Sequence, residues 1–414
     1  MERPVQLDVY FGDELVGVLH DASPPAFEYA ASWLVRAEPM PLAAIPLAPG
    51  RSSAPAVQAF FENLLPEGEL RTYIAEQKKA STLFSLLLEV AGDTAGGFII
   101  LPAGQRPQPP SYKPTTWAEL RATLDAASAI DIKSEGARIS LAGAQDKASI
   151  ALFDDGVPQL PQGTSPSTHI LKPDIKRLAK VWESAANEAL TMLVAERCGL
   201  PTAQVFYEPT TRACIVKRFD RQPAAGGRLT RLVQYDLCQL SGTVSEKKYE
   251  KEGGPGIEAC AALIRTYSTQ PAVDLRHFLQ WIFFNLYTGN NDSHAKNLSM
   301  YRMPGRGVLL TPFYDLMCTR IYPGLSQEFA FSIGGEVMPG QVTQAHVREM
   351  ARVIQVKPSF VLQLAQELAR KMPAAVDEAV QSLKPALPHS AALLVERVHD
   401  FVLTTTRKTA ARLE

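Results

Sequence analysis

The sequence predicts an α+β chain: a small mixed domain, then a β-rich lobe, then a helical lobe. Three observations predict it. Short β-like runs gather before residue 235, helical spacing dominates from about Asp236, and a polar, proline-rich stretch from Pro102 to Pro114 interrupts the early part.

Residues 5–11 and 14–20 read as two strands joined by Gly12-Asp13, a pair suited to a tight hairpin turn. Pro55 opens a helix carrying Val57, Phe60, Phe61, Leu64 and Leu65 at helical spacing, stopped by Pro66 and Gly68. A second helix is expected over 81–90, ended by Gly92-Asp93, and 98–101 reads as a buried strand. GQRPQPPSYKP has the composition of a linker. Further on, 148–153, 168–171 and 213–218 read as strands. The helix over 181–198 is ended by Gly199-Leu200-Pro201. The expected plan is therefore 1–104, an N-terminal α+β domain; 105–116, a linker; 117–235, the β-rich lobe; and 236–414, the helical lobe. No solenoid repeat is present.

Composition narrows the function. The chain has 414 residues and a net charge of −1, so charge alone gives no argument for nucleic acid. Its five cysteines are odd in number and form no CxxC pair, so no zinc cluster or disulfide framework is expected and a reducing compartment fits. The opening MERPVQLDVYFGDELVG has early charges and no long apolar run, unlike a secretory leader. The greasiest runs, 84–90 and 281–287, fall far short of the ~20 residues of a membrane span.

The segment TGNNDSHAKN, residues 288–297, follows an apolar helix over 278–287. Asp292 and Asn297 have the spacing of a kinase catalytic loop, where the Asp orients the substrate hydroxyl and the Asn holds magnesium. A hairpin is expected from 298–302 and 308–311. It would bring Asp315, in FYDLM, near Asn297, where kinases place a magnesium-binding Asp. Magnesium prefers hard oxygen ligands and keeps several waters, so one carboxylate and one amide suffice. A polar surface turn is the competing reading, because Asn, Asp and Ser are common in turns. His294 has no partner histidine at zinc spacing and is not read as a metal ligand.

A kinase also needs a strand lysine and a helix glutamate to hold it. Lys172 ends the β-like run HILK; Glu188 lies on the 181–198 helix, with Glu183 as a competitor. Solvated single charges are the alternative. RISLAGAQDK, residues 138–147, is a candidate phosphate loop, its small Ala142-Gly143-Ala144 letting backbone N–H groups approach an anion. It has no Walker or GxGxxG spacing, so an ordinary turn into a strand competes. The fold expected from these features is a bilobal protein-kinase-like fold with an added N-terminal domain.

Taken together, FFENLLPEG (60–68), GDTAGG (92–97), ISLAGAQDK (139–147), STHILKP (167–173), NE (187–188), KRFDR (217–221), KYEKEGGPG (248–256), NDSHAKN (291–297) and LTPFYDLM (310–317) resemble the HipA family of toxin serine/threonine kinases. The resemblance implies ATP and Mg2+ as cofactors. It implies Asp292 as catalytic base, Asn297 and Asp315 on magnesium, and Lys172 on the ATP phosphates, paired with Glu188. Ala142, Gly143, Ala144, Gln145, Asp146 and Lys147 would form the phosphate loop. Lys217, Arg218 and Phe219 would be the hinge facing adenine, and His294, Lys296 and Tyr314 would line the nucleotide pocket. Ser140 matches the serine that family members phosphorylate on themselves, switching the kinase off.

The family pairs with a HipB-like helix-turn-helix antitoxin that binds operator DNA. Its targets are aminoacyl-tRNA synthetases, notably the glutamyl enzyme, and the outcome is blocked translation, growth arrest and persistence in the bacterial cytoplasm. Two departures stand out. Residues 331–340 hold no Lys or Arg where some members carry a basic, DNA-touching stretch, so operator contact is expected through the antitoxin. The hinge opens with Lys217 where the best-known member has an acidic residue. Two other readings stay open at this point: a small-molecule kinase on the same scaffold, and a catalytically dead corepressor acting with the antitoxin.

Overall fold

The structure is a computed structural model that describes residues 5–90, 92–126, 145–224 and 228–414. It is mixed α+β, as predicted, and divides into two compact units. Residues 1–171 and 218–246 make the first; residues 172–217 and 247–414 make the second.

In the first unit β1 (Gln6–Phe11), β2 (Glu14–His20), β3 (Ala26–Tyr29), β4 (Arg51–Ser52) and β5 (Phe98–Pro102) form an antiparallel sheet in the order β4-β3-β2-β1-β5. Helix α1 (Ala31–Leu34) follows β3. Helices α2 (Pro55–Glu62), α3 (Gly68–Lys78) and α4 (Leu83–Val90) precede β5. Phe60 and Phe61 of α2 are fully buried, and their rings meet Phe98 at 5.9 Å and Phe27 at 5.7 Å, which fixes α2 on the sheet. Burying each such ring is worth about 1.5–3 kcal/mol. The helix ends earlier than expected: Asn63 donates its side-chain amide to Ala59 O and Thr243 O, and Leu64 and Leu65 bury themselves from the turn beyond. Helix α3 was not predicted. Leu70 and Ile74 are its buried apolar side chains, too few to announce it by periodicity.

The stretch expected as a linker contributes a strand, β6 (Tyr112–Pro114), which pairs with β8 (Pro158–Pro161). Proline is tolerated at an edge, where a missing donor goes unnoticed. Tyr112 holds the strand down, its hydroxyl 2.9 Å from Pro166 O and its ring 5.1 Å from Phe153. Helix α5 (Trp117–Ala126) follows. Strand β7 (Ala148–Leu152) pairs antiparallel with β8 and with β9 (His169–Pro173).

The second unit begins within β9 and continues through α6 (Ser184–Arg197) and the hairpin β10 (Val205–Glu208) and β11 (Ala213–Lys217). The chain then returns to the first unit for the hairpin β12 (Arg221–Ala224) and β13 (Arg228–Arg231), strand β14 (Gln234–Asp236) and helix α7 (Leu237–Ser241), which Asp236 and Gln239 close with a capping box. The remainder is α8 (Ile257–Tyr267), α9 (Pro271–Thr288), the hairpin β15 (Ser299–Met303) and β16 (Gly307–Leu310), then α10 (Gln344–Val353), α11 (Pro358–Leu383) and α12 (His389–Leu413). Phe278, Trp281, Ile282, Phe283, Phe284 and Tyr287 leave the second half of α9 with buried apolar side chains on every side, as befits a helix packed among α8, α11 and α12. Among the described residues no helix is long and apolar enough to cross a membrane.

A buried ionic cluster ties distant segments of the first unit. Asp93 accepts from Arg221 at 2.8 Å, Arg231 at 3.1 Å, Arg218 at 3.2 Å and the Ser167 hydroxyl at 2.7 Å. Asp220 takes further bonds from Arg218, Arg221 and the Gly96 N–H. Burial pushes the Asp93 carboxyl up, but the three guanidiniums and the Ser167 hydroxyl outweigh it and hold it well below the usual carboxylate range. Removing one partner of such a network strands charges away from water. Asp93→Asn is therefore expected to cost about 3–5 kcal/mol in urea unfolding at pH 7. A depressed folded-state value makes the Asp93 contribution complete above roughly pH 5 and lost as pH falls. Wild type should then lose more stability between pH 5 and 3 than Asp93→Asn.

Candidate active site

The second unit holds Lys172, Glu188, Asp292, His294, Lys296, Asn297, Tyr314 and Asp315 of the residues singled out in the sequence. Lys172, at the end of β9, is buried, and its ammonium lies 2.5 Å from Glu188 Oε1 and 2.7 Å from Asp315 Oδ1. Burial would pull the lysine down; Asp315 and Glu188 outweigh it and hold Lys172 above its ordinary range. Glu188, not Glu183, takes the pair. Glu183 stands just before α6 with φ +49 as its N-cap, whereas Glu188 lies inside the helix and is buried.

Neighbouring Asn187 does a separate job. Its Oδ1 accepts from Cys318 N at 2.9 Å, and its Nδ2 donates to Cys318 O at 2.9 Å and the Tyr322 hydroxyl at 3.0 Å. One turn of α6 thus holds the lysine and, through the next residue, the chain three positions beyond Asp315. From the other side Phe313 N donates to Pro201 O at 2.7 Å, and Ala203 N to Phe313 O at 2.9 Å. Between these clamps Asp315 adopts φ +59, a left-handed conformation that a non-glycine residue holds only when its surroundings fix it.

The loop after α9 is cross-tied throughout. Gly289 leaves the helix at φ +70, where a Cβ would sit 2.6 Å from the Phe401 ring, and its carbonyl accepts from Thr319 N and Arg320 N. Asn290 donates to Asn285 Oδ1 at 2.9 Å and accepts from Asp292 N at 3.2 Å. Asn291 N donates to Thr319 Oγ1 at 2.8 Å, and Asn291 Nδ2 to Ser326 O at 3.0 Å. Asn297 Nδ2 donates to Asp292 O at 3.0 Å, which closes the loop on itself. Asn290, Asn291, Ser293, His294, Lys296 and Asn297 are all buried, while the Asp292 side chain is 54 % exposed. A polar surface turn would be exposed throughout, so that competing reading fails.

His294 Nε2 lies 3.9 Å from Asp292 Oδ1. The Tyr314 hydroxyl meets Ser299 at 2.7 Å and donates to Lys296 O at 3.1 Å, which places the residue before Asp315 against the loop that holds Asn297. The hairpin that makes this possible pairs Met300 with Leu310. Among the described residues no group of three or more His, Cys, Asp or Glu could hold a metal by itself. Asn297 and Asp315 offer one amide oxygen and one carboxylate, a hard donor set that suits magnesium shared with phosphates and water.

The remaining expected site residues are placed otherwise. Ser140, Ala142, Gly143 and Ala144 lie outside the described residues. Gln145, Asp146 and Lys147 belong to the first unit, just before β7, with Lys147 buried. Lys217 ends β11 with its side chain exposed. Arg218, expected in the hinge, commits its guanidinium to the Asp93 cluster and its N–H to Thr168 O at 2.9 Å, which leaves its carbonyl for a hinge. Phe219, also in the first unit, is half-buried. Sequence reasoning missed Tyr249, whose hydroxyl donates to Asp292 Oδ1.

A buried lysine–glutamate pair alone is common core chemistry. A second carboxylate on the same ammonium, next to a buried loop that exposes one aspartate, is the architecture of a protein kinase. Residues 7–101 match the HipA N-terminal domain and residues 139–376 the HipA-like C-terminal domain. The chain belongs to the HipA family. It is 29% identical over 404 residues to the serine/threonine-protein kinase toxin HipA of Shewanella oneidensis, covering 92% of this chain and 91% of that one. It is 37% identical over 326 residues to Y4mE of Sinorhizobium fredii, covering 75% and 76%. The solved Shewanella oneidensis HipA, from a complex of HipA, HipB and operator DNA, matches with a TM-score of 0.84 at 27% identity over 98% of each chain. By class the chain is a protein serine/threonine kinase.

The geometry predicts how the lysine pair responds to mutation. Lys172→Met strands the Glu188 carboxylate in the core and should cost about 3–5 kcal/mol in chemical unfolding. Adding Glu188→Leu removes the stranded charge and should recover most of that loss. A double variant no more stable than Lys172→Met would show that the pair is not the unit that matters.

Proposed function

We propose that this chain transfers the γ-phosphate of ATP to serine or threonine of another protein, with Asp292 as catalytic base. The observation that carries the reading is the exposed Asp292 carboxylate on a loop whose Asn290, Asn291, Ser293 and Asn297 side chains are buried and hydrogen-bonded. Kinases do little covalent chemistry themselves; they position the phosphates and neutralise charge. Asp292 would orient the acceptor hydroxyl and take its proton. Lys172 would meet the ATP phosphates, with Glu188 fixing its ammonium. Asn297 and Asp315 would hold Mg2+, which neutralises phosphate charge when bound. Lys217, Arg218 and Phe219 would form the adenine hinge, His294, Lys296 and Tyr314 the pocket wall, and Ala142 to Lys147 the phosphate loop, with Ser140 as the autophosphorylation site.

The expected domain plan, 1–104, 105–116, 117–235 and 236–414, belongs to the same reading. So do a HipB-like antitoxin, operator DNA reached through it, and a bacterial cytoplasmic setting. The partner rests on the Shewanella HipA solved with HipB and operator DNA. The target proposed from the family resemblance is an aminoacyl-tRNA synthetase such as the glutamyl enzyme, whose phosphorylation would stop translation and promote persistence.

Asp292→Asn should lower transfer from labelled ATP by about 100- to 10,000-fold, the usual range for losing a general base. Label in the wild type should map to Ser140 and vanish in Ser140→Ala. Phosphoproteomics after brief expression, with Asp292→Asn as control, identifies the target. Transfer by Asp292→Asn at the wild-type rate would overturn the assignment.

A further inference from the structure

The motif KYEKEGGPG has no role in the chemistry above, yet it forms an ordered loop in the second unit. Its glycines let it fold back tightly. A Cβ on Gly254 would lie 2.1 Å from Lys247 O, and one on Gly256 would lie 2.6 Å from the Glu250 carboxylate carbon. Tyr249 O accepts from Glu252 N and Gly254 N, both at 3.0 Å. Glu250 accepts from Ser332 N at 2.7 Å, which ties the loop to a second segment. Tyr249 therefore leaves a backbone fixed on both sides.

Its side chain reaches the proposed base. The hydroxyl donates to Asp292 Oδ1, and the ring meets the buried His294 edge-on at 5.0 Å and 83°. His294 Nε2 approaches the same Asp292 oxygen at 3.9 Å. The Asp292 side chain is more than half exposed, so without such a tie its carboxylate would be free to sample several rotamers. A carboxylate has about four acceptor positions, so one hydroxyl on Oδ1 leaves Oδ2 open to an incoming hydroxyl.

Resting on the reading of Asp292 as catalytic base, we propose that Tyr249 is a positioning residue for Asp292. Its phenol anchors one carboxylate oxygen and so aims the other at the acceptor hydroxyl. The loop 248–256 is the scaffold that delivers it. A base must lie within hydrogen-bond reach of its proton, and misplacement by about 1 Å can cost about 100-fold.

The test compares wild type, Tyr249→Phe, Tyr249→Leu and Asp292→Asn in the full chain, by incorporation of labelled phosphate from ATP into the chain itself. Tyr249→Phe keeps the ring against His294 and loses only the hydroxyl. It should lower the rate at saturating ATP by about 10-fold or more, leave the half-saturating ATP concentration and the melting temperature unchanged, and be about as slow as Tyr249→Leu. Tyr249→Phe at the wild-type rate, with Tyr249→Leu slow, would make the ring a packing element and overturn the proposal. A faster Tyr249→Phe would overturn it too, because the phenol would then be a competitor of the acceptor hydroxyl. If Asp292→Asn is inactive while Tyr249→Phe is normal, only the positioning role falls; if Asp292→Asn transfers normally, the reading beneath it falls as well.

Discussion

The second unit depends on one ammonium kept out of water. A lysine in a core is stable as a cation only if carboxylates lie in contact with it. Lys172 has two, Glu188 and Asp315, from chain segments 16 and 143 residues away. Each contact therefore fixes long-range structure. Glu188 requires α6 to present its buried side to the end of β9, and α6 meets that with a run of small residues, Ser184, Ala185, Ala186 and Ala189. Asp315 requires the chain to reverse after β16 and pass close by. That passage carries backbone strain at φ +59, which the Asn187–Cys318 and Phe313–Pro201 bonds sustain.

The same logic governs the polar loop. Asparagine and serine side chains are costly to bury unless each finds a partner. The structure supplies those partners from Asn285, Thr319, Ser326 and the loop's own carbonyls. A loop so cross-linked has few ways to relax, which is the condition for holding a reactive group steady. Asp292 is the member left in solvent, and Tyr249 reaches it from a separate, equally constrained loop.

How much of this the sequence disclosed follows from the range of the interactions. The hairpin of β15 and β16 was readable because its turn is local, with Met303-Pro304-Gly305 between two apolar runs. The Asp292–Asn297 spacing was readable because both ends lie in one loop. Lys172 and a helix glutamate were readable as types, but the choice between Glu183 and Glu188 depended on where α6 begins. Other features had no local signature. Tyr249 sits 43 residues before Asp292, in a loop of short turns with no periodicity. The bond from Arg218 to Asp93, 125 positions earlier, had none either, because nothing near Arg218 in the chain reveals it.

That such a contact has no local sign has a general physical cause. Taken one at a time, Asp93, Arg218, Asp220 and Arg221 are charges of the kind usually found in water, and a sequence gives no sign that they neutralise one another. Only the fold brings two carboxylates and three guanidiniums into one buried set, where removal of any member leaves the others uncompensated. In this chain, then, charge content does not separate structural from chemical residues. Burial shows which of them the fold depends on: charged side chains that are buried and bonded on several sides hold each unit together, and Lys172 among them is also the one proposed to meet the ATP phosphates. The proposed base Asp292 and the proposed magnesium ligand Asp315 both keep solvent access, with 54 % and 41 % of their side chains exposed.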